Sequence, residues 1–206
     1  MLTRCDRKIF FDEHVFHIFD HVYEPDEDTF LLAENLDAVP NDVVLDLGTG
    51  CGILAVLSAL KARRVVATDV NPYAVRCAKL NAIVNKVSDG MEVVRGDLFG
   101  PIKEDEEFSL ILFNAPYLPT EEGEEAEWID YAWAGGERGR TVIDRFISSA
   151  SSYLEPEGRI LLVQSTLSDV RESIQKLGKQ NLGAKVIDEK KVSFETITLI
   201  EAEKQS

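Results

Sequence analysis

The feature that most constrains the fold is a glycine-rich loop between a buried strand and a helix. The run Val43 to Leu47 is largely apolar without regular alternation, which is typical of a strand covered on both faces. It leads into glycines at positions 48, 50 and 52, and then into a helical segment from Ile53 to Leu60. A strand, a glycine turn and a helix in this order are typical of a parallel α/β sheet.

The rest of the chain repeats this alternation between strand and helix. Strands are predicted over 43–47, 64–69, 91–95, 108–113, 158–163, 184–188 and 194–200. Helices are predicted to start at Pro25 and to cover 53–60, 72–85, 138–154 and 167–177. We therefore predict an α/β fold in which a seven-stranded, mostly parallel Rossmann-like sheet has helices on both faces. The last two strands follow each other directly, which predicts an antiparallel C-terminal hairpin.

Residues 1–24 precede this pattern and are expected to form an N-terminal extension packed on the domain, which covers 25–206. The extension has aromatic and apolar residues to bury, and a turn or hairpin is as consistent with it as a helix. Pro25 with Asp26, Glu27 and Asp28 behind it is a typical helix start, since acids favour the positive end of the helix dipole.

Charge and cysteine content exclude several classes of function. The formal net charge is −15, and such an acidic surface repels phosphate backbones, which argues against nonspecific nucleic-acid binding. The three cysteines are odd in number and lack CxxC spacing, so neither a disulfide framework nor a zinc site is indicated, and a reducing cytoplasmic compartment is expected. No apolar run is long enough to cross a bilayer.

Three histidines, His14, His17 and His21, would share one face of a helix, but as extended chain His14 and His17 point to opposite faces. No cysteine or further histidine completes the set, so no metal site is predicted.

The glycine loop itself favours one cofactor over another. A dinucleotide site requires G-x-G-x-x-G, whereas Gly48, Gly50 and Gly52 form G-x-G-x-G, with Ile53 in the last position of the dinucleotide motif. Asp46 precedes the loop, and its carboxylate would repel a pyrophosphate but attract the ammonium group of a methionine moiety. We therefore expect S-adenosyl-L-methionine rather than NAD.

Two more acids follow successive strands. Asp69 closes the second strand and can accept both hydroxyls of a ribose, and Asp97 follows the third strand and can accept from an adenine amino group, with Leu98 against the ring. Each acid alone would be an ordinary strand-end or turn residue. Three acids at the carboxyl ends of successive parallel strands point to one crevice.

The motif Asn114-Ala115-Pro116-Tyr117 follows the fourth strand and faces the same crevice. An amide or aromatic amine nitrogen is a poor nucleophile because its lone pair is delocalised, so its N–H groups must be held for the lone pair to point at the methyl donor. The Asn114 side-chain oxygen and the Ala115 carbonyl are two acceptors for this purpose. Pro116 fixes the turn and Tyr117 offers a flat wall. A strand-ending Asn before a Pro turn is the alternative.

These motifs, in this order, resemble the class I methyltransferases of the HemK group. Further segments resemble its eukaryotic and archaeal branch, and together they cover about residues 20–200. These segments are Tyr23 to Leu32, Ala67 to Pro72, Ala132 to Gly136 and Asp144 to Phe146. The resemblance implies methylation of the glutamine amide in the Gly-Gly-Gln motif of class I translation release factors. It also implies that Asn114 holds the glutamine and that the cofactor is contacted by Thr29, Asp46, Gly48, Gly50, Asp69, Asp97, Leu98 and Asn114.

One residue departs from the family pattern, because Ala115 stands where the family usually has proline. The backbone carbonyl is retained, so we expect a less rigid loop with its activity preserved. The resemblance further implies a small zinc-binding activator protein that docks along the third-strand edge, Met91 to Arg95, where an exposed strand invites pairing.

Two features after the acceptor motif have two interpretations each. The acidic run 120–127 is either a docking loop for a basic protein or a solvated loop. Trp128, Tyr131 and Trp133 either line the acceptor pocket or anchor the loop. Two other functions also remain open at this point, namely an adenine or guanine amino-methyltransferase, which must flip its base, and a non-catalytic cofactor-binding module.

Overall fold

Strands and helices alternate through most of the chain, as the sequence predicts. The computed structural model describes residues 5–120 and 127–205. The strands are β1 (Cys5–Phe11), β2 (His14–Phe19), β3 (Val43–Leu47), β4 (Arg64–Asp69), β5 (Met91–Arg95), β6 (Phe108–Asn114), β7 (Leu154–Ser165), β8 (Leu182–Lys191) and β9 (Thr196–Lys204). The helices are α1 (Glu27–Glu34), α2 (Ile53–Ala59), α3 (Pro72–Val84), α4 (Thr141–Ala150) and α5 (Val170–Lys179).

The main sheet has seven strands in the order β5-β4-β3-β6-β7-β9-β8. Strands β3 to β7 pair in parallel, whereas β9 is antiparallel to both β7 and β8. The predicted sheet and its C-terminal hairpin are therefore confirmed. The chain moves outward from β3 to β5 and then returns to the other side of β3 with β6. A crevice opens at such a reversal, outside the carboxyl ends of the strands.

Helices cover both faces of this sheet, and two apolar clusters result. Val44 of β3 packs on the side of α1, α2 and α3, while its neighbour Leu45 packs on the side of α4 and α5. Successive residues of a strand point to opposite faces, so both faces of β3 are buried. This burial explains the apolar run that predicts the strand.

The N-terminal extension forms a hairpin of β1 and β2, one of the two possibilities left open by its sequence. It packs on α3 through two asparagines. The buried Asn81 side chain accepts from the His17 amide at 2.8 Å and donates to the His17 carbonyl at 2.9 Å, while Asn85 donates to the Val15 carbonyl at 2.9 Å. Phe16, at the centre of β2, is fully buried.

Three helices have boundaries that differ from the sequence prediction by two or more residues. Helix α1 begins at Glu27 because the Asp26 carboxylate caps it, accepting from the Glu27 amide at 2.8 Å, so Pro25 precedes the cap. The helix predicted over 138–154 is shorter, since a 3₁₀ turn follows Ala150 and the chain then enters β7. The helix predicted from 167 begins at Val170, after another 3₁₀ turn.

None of the helices within 5–120 and 127–205 is both long and apolar enough to cross a membrane. Over the same residues, no group of His, Cys, Asp and Glu side chains is arranged to hold a metal ion.

Candidate active site

A cavity of about 380 Å³ opens at the carboxyl ends of β3, β4 and β6, where the sheet order reverses. Most of the residues predicted to bind the cofactor or acceptor line it. They are Thr29, Gly48, Gly50, Asp69, Asp97, Leu98, Asn114 and Pro116. Three other predicted residues, Asp46, Ala115 and Tyr117, are absent from the described lining.

The glycine loop is held between β4 and α3. Gly48, Gly50 and Gly52 all have positive φ angles, of 63°, 57° and 87°. The Gly50 amide donates to the Asp69 carboxylate at 2.9 Å. A Cβ atom at Gly52 would lie 2.8 Å from the Ala78 Cβ of α3, which is closer than real Cβ contacts allow. All three positions therefore have a backbone conformation that L side chains rarely adopt, and at Gly52 a side chain would also clash with α3.

Asp46 is 1% exposed and lies behind this loop. One carboxylate oxygen accepts from the Thr49 hydroxyl at 2.6 Å, and the other has no hydrogen-bond partner among the residues that the structure describes. Burial raises the pKa of Asp46 to about 7, and the nearby charge of Asp69 adds to this rise. A buried carboxylate oxygen without a donor fits a cationic ligand such as an ammonium group. The predicted role of Asp46 stays a prediction.

We expect cofactor affinity to depend on pH through Asp46. At pH 6 most of the Asp46 carboxyl is protonated, because its pKa is about 7, and it must lose its proton to pair with an ammonium group. Affinity for S-adenosylhomocysteine should therefore rise about tenfold between pH 6 and pH 8. Calorimetric titration would measure this. Asp46→Asn should flatten the profile, and an unchanged profile in that variant would contradict the assigned contact.

Asp69 is poised to bind a hydroxyl ligand. Its two oxygens accept from the amides of Asn71 and Gly50, at 2.8 and 2.9 Å. Burial nevertheless raises its pKa above the ordinary range. Each carboxylate oxygen keeps a further lone pair, so Asp69 can still accept from a ribose.

Asp97 forms an ion pair with a residue that the sequence did not predict to be in the site. Its carboxylate forms an ion pair with Arg145 of α4 at 2.6 Å, with both side chains about half exposed. Arg145 and Leu98 also line the cavity. The contact of Asp97 with an adenine amino group stays a prediction, and its second oxygen is available for it.

The Asn114 side chain has a fixed orientation. Its Nδ2 donates to the Thr29 hydroxyl at 3.1 Å, and that hydroxyl donates to the Asp28 carboxylate, also at 3.1 Å. Because the Thr29 proton is directed to Asp28, the Thr29 oxygen must accept from Asn114, which turns Oδ1 of the amide the other way. This Oδ1 atom is buried and has no partner within the described parts of the chain. Asn114 thus keeps a free acceptor in the wall of the cavity.

Asp28 is the centre of this network, although its sequence position suggested only a helix-start role. It also accepts from the hydroxyls of Tyr23 and Tyr117, at 3.0 and 3.3 Å. Burial raises the pKa of both tyrosines, and the Asp28 charge raises it further, so both stay neutral donors. The structure directs the Tyr117 hydroxyl to Asp28 and places Tyr23 in the cavity wall, where the sequence predicted Tyr117.

We expect the Thr29 hydroxyl to be required for this orientation. Thr29→Val removes the acceptor of Asn114 Nδ2, so the amide can rotate and kcat should fall about tenfold, the loss expected for one buried hydrogen bond. Thr29→Ser retains the hydroxyl and should stay within about twofold of the parent. Steady-state kinetics would measure both, and equal losses in the two variants would indicate packing instead.

The residues after Asn114 are held by a second loop. Ala115 is buried, and its amide donates to the Val163 carbonyl at 3.3 Å. Leu118 exchanges backbone hydrogen bonds with Trp133 and Gly135, at 2.9 and 2.8 Å. The predicted loss of rigidity at Ala115 stays untested, but these contacts restrain the same loop.

Of the three aromatic residues in that second loop, Trp128 and Tyr131 line the cavity, and Trp133 is not part of the described lining. Residues 121–126, most of the acidic run 120–127, lie outside the described residues. Glu127 is described, and its carboxylate lies 3.9 Å from the His21 ring.

Comparisons with known proteins agree with this geometry. Residues 17–129 match the methyltransferase small domain family. A protein of Methanocaldococcus jannaschii assigned as a protein N5-glutamine methyltransferase is 40% identical over 183 residues, which cover 88% of this chain and 91% of that protein. The human methyltransferase HEMK2 is 32% identical over 88% of this chain and 89% of its own.

Among solved structures, the E. cuniculi Mtq2–Trm112 complex, responsible for the methylation of the eRF1 translation termination factor, superposes with a TM-score of 0.67. The two chains are 27% identical, and the match covers 90% of this chain and 99% of that one.

Proposed function

Because the chain belongs to the methyltransferase small domain family and is an S-adenosylmethionine-dependent methyltransferase, we propose that its acceptor is the glutamine side chain in the Gly-Gly-Gln motif of a translation release factor. The observation that carries this proposal is the buried, unpartnered Oδ1 of Asn114. Such an atom is costly to bury unless a ligand donates to it.

The cavity fits the cofactor at several points. Asp69 and Asp97, in the cavity lining, would accept from the ribose and from the adenine amino group. The unpartnered oxygen of Asp46, which lies behind the glycine loop, would accept from the ammonium group. The positive-φ glycines leave room for close approach of the ligand to the backbone. When bound, S-adenosylmethionine supplies a methyl group that can be displaced from its sulfonium sulfur, and the nitrogen that accepts it gives up one proton.

The protein contributes orientation and exclusion of water. Asn114 Oδ1 and the Ala115 carbonyl would accept the two N–H groups of the glutamine amide, which holds its nitrogen in one position. Asp28 and Thr29 keep Asn114 in the required rotamer. Alignment of this kind contributes much of the rate enhancement when a poor nucleophile reacts. Tyr23 and Pro116 line the cavity, and their side chains would limit the access of water to a bound acceptor.

Two observations favour a glutamine over a nucleobase. The net charge of −15 opposes the approach of a phosphate backbone, which a base-flipping enzyme must hold. The Methanocaldococcus jannaschii protein that matches over 88% of this chain carries the name of a protein N5-glutamine methyltransferase, and the Mtq2–Trm112 complex is responsible for the methylation of a termination factor. The glutamine side-chain carboxamide has the same pair of N–H donors as an exocyclic amine, without the charged backbone.

The proposal can be tested by measuring the transfer of labelled methyl groups from the cofactor to a purified class I release factor. Total RNA and DNA would be present as competing acceptors. We expect label in the release factor and none in a variant whose Gly-Gly-Gln glutamine is replaced by alanine. Label found only in nucleic acid would refute the proposal.

We also propose that a small zinc-binding activator protein docks on β5, the strand at one end of the sheet. Val94 is exposed there beside a second cavity of about 430 Å³, which includes Val66 and Ile102. The strand at the other end, β8, exposes a run of charged side chains from Asp188 to Lys191 that discourages pairing. The Trm112 subunit of the Mtq2–Trm112 complex supports a partner of this kind.

Co-purification of the two proteins would test this docking. Val94→Lys on β5 should remove the partner while S-adenosylhomocysteine binding persists, whereas Val186→Lys, at a similarly exposed position on β8, should retain it. Retention by both variants would place the partner elsewhere.

We also propose that the protein is located in the cytoplasm. This location is supported by the buried positions of Cys51 and Cys77, which suit a reducing compartment, and by the cytoplasmic nature of translation termination.

A further inference from the structure

The segment from Glu127 to Ala134 contributes aromatic side chains to the cavity. Trp128 and Tyr131 both line it, with ring centroids 5.6 Å apart. The sequence left two interpretations of these residues, an acceptor-pocket wall or an anchor for the loop. Their partners in the structure indicate a third role.

Trp128 lies at the ends of β4 and β5, where residues that follow or end these strands contact it. The Asn71 side chain donates to the Trp128 carbonyl at 3.4 Å and to the His21 carbonyl at 2.7 Å. The amide of the same Asn71 donates to the Asp69 carboxylate at 2.8 Å. One residue thus links Trp128 to the carboxylate proposed for the ribose.

The Trp128 ring is also held from one side. The Arg95 guanidinium, at the end of β5, lies 5.5 Å from the ring centroid, within the range of a cation–π contact. Arg95 is itself fixed by donating to the Val70 carbonyl at 3.1 Å. An aromatic ring that is held in place loses little entropy when a flat ligand packs against it.

We propose that Trp128 is a cofactor-binding residue, whose ring closes the crevice over the nucleoside half of S-adenosylmethionine. This rests on the cofactor site of the proposed function and is independent of which acceptor is methylated. The indole offers apolar area to the ribose and adenine, and Arg95 keeps it in position. Asp69, Asp97 and Trp128 then surround the nucleoside, while Asn114 serves the acceptor.

Binding of S-adenosylhomocysteine, measured by calorimetry, tests this without any acceptor protein. Trp128→Ala should weaken binding about tenfold or more, and Arg95→Gln about two- to fivefold. Arg63→Gln removes an exposed positive charge before β4, at the far end of that strand, and should leave the affinity unchanged. Far-ultraviolet circular dichroism should show all three variants folded.

Fluorescence provides a readout that a merely structural role would not change. The chain has two tryptophans, so Trp133→Phe leaves Trp128 as the only one. Its emission should shift on addition of S-adenosylhomocysteine, whereas Trp128→Phe should abolish the shift.

Steady-state kinetics with the protein acceptor distinguish a cofactor-binding role of Trp128 from a role in the acceptor pocket. Trp128→Ala should raise KM for the cofactor and leave KM for the protein acceptor near its parent value. A raised KM for the protein alone, or unchanged S-adenosylhomocysteine affinity in Trp128→Ala, would overturn the proposal. If Trp128 controls cofactor binding but no release factor is methylated, the acceptor assignment fails and this inference stands.

Discussion

Asn114→Ala is expected to lower kcat for methyl transfer by about 10²–10³-fold, the loss seen when one group that holds the reacting atoms is removed. The reason is the free Oδ1 of Asn114, which the Thr29 hydroxyl directs away from itself. Affinity for S-adenosylhomocysteine should stay within about threefold, because most of the contacts predicted for the cofactor lie at or after the carboxyl ends of β3, β4 and β5. Single-turnover kinetics and calorimetry would measure the two quantities separately.

Asn85→Ala is the matched control, since Asn85 caps α3 and, among the residues that the structure describes, its side chain donates to backbone carbonyls of the hairpin and of its own helix. It should cost stability without a comparable loss in kcat. Unchanged turnover in Asn114→Ala would remove Asn114 from the acceptor site. Cofactor binding by a native protein that never turns over with any acceptor would instead favour a non-catalytic module.

Gly52→Ala is expected to destabilise the fold by about 2–4 kcal/mol, combining a left-handed backbone conformation with overpacking. The φ angle of Gly52 is 87°, and its Cβ would lie 2.8 Å from Ala78 Cβ and 2.9 Å from Ala78 Cα. The Ala78 backbone cannot move away cheaply inside α3, so the loop must shift. Cofactor affinity should fall with it, because Gly50 two residues earlier donates to Asp69.

Gly178→Ala provides the comparison, since Gly178 lies in α5 and its Cβ would meet no atom within 4 Å. The free energy of unfolding of that variant should rise by about 0.5–1 kcal/mol, the difference between glycine and alanine in a helix. Urea denaturation would measure both free energies of unfolding. A Gly52→Ala variant as stable as the parent, with native cofactor affinity, would contradict the account of the loop.

The sheet could be predicted because its signals are local. The apolar run at Val43 to Leu47 and the glycines behind it determine a strand and a turn without reference to the rest of the chain. The ends of the helices were harder to predict from the sequence. Asp26 and Asp169 cap helices with their carboxylates, and which of several nearby acids does so depends on the path of the preceding loop.

The candidate site also has residues that the sequence could predict and residues that it could not. Asp69 and Asn114 were predictable from their places at strand ends, because parallel strands bring those ends together. The partners that set their geometry were not. Thr29 meets Asn114 across 85 residues, and Arg145 meets Asp97 across 48. Such pairs form only when the sheet is complete, so the roles of Asp28 and Arg145 and the direction of the Tyr117 hydroxyl could not be predicted from the sequence.

Mass spectrometry of the organism's own class I release factor tests the central claim most directly. Cells with the parent protein, cells without it, and cells with Asn114→Ala would be compared at the peptide that contains Gly-Gly-Gln. We expect a single methyl group on the glutamine amide in cells with the parent protein alone. Full methylation in cells that lack the protein, or an unmethylated glutamine in all three, would contradict the central claim.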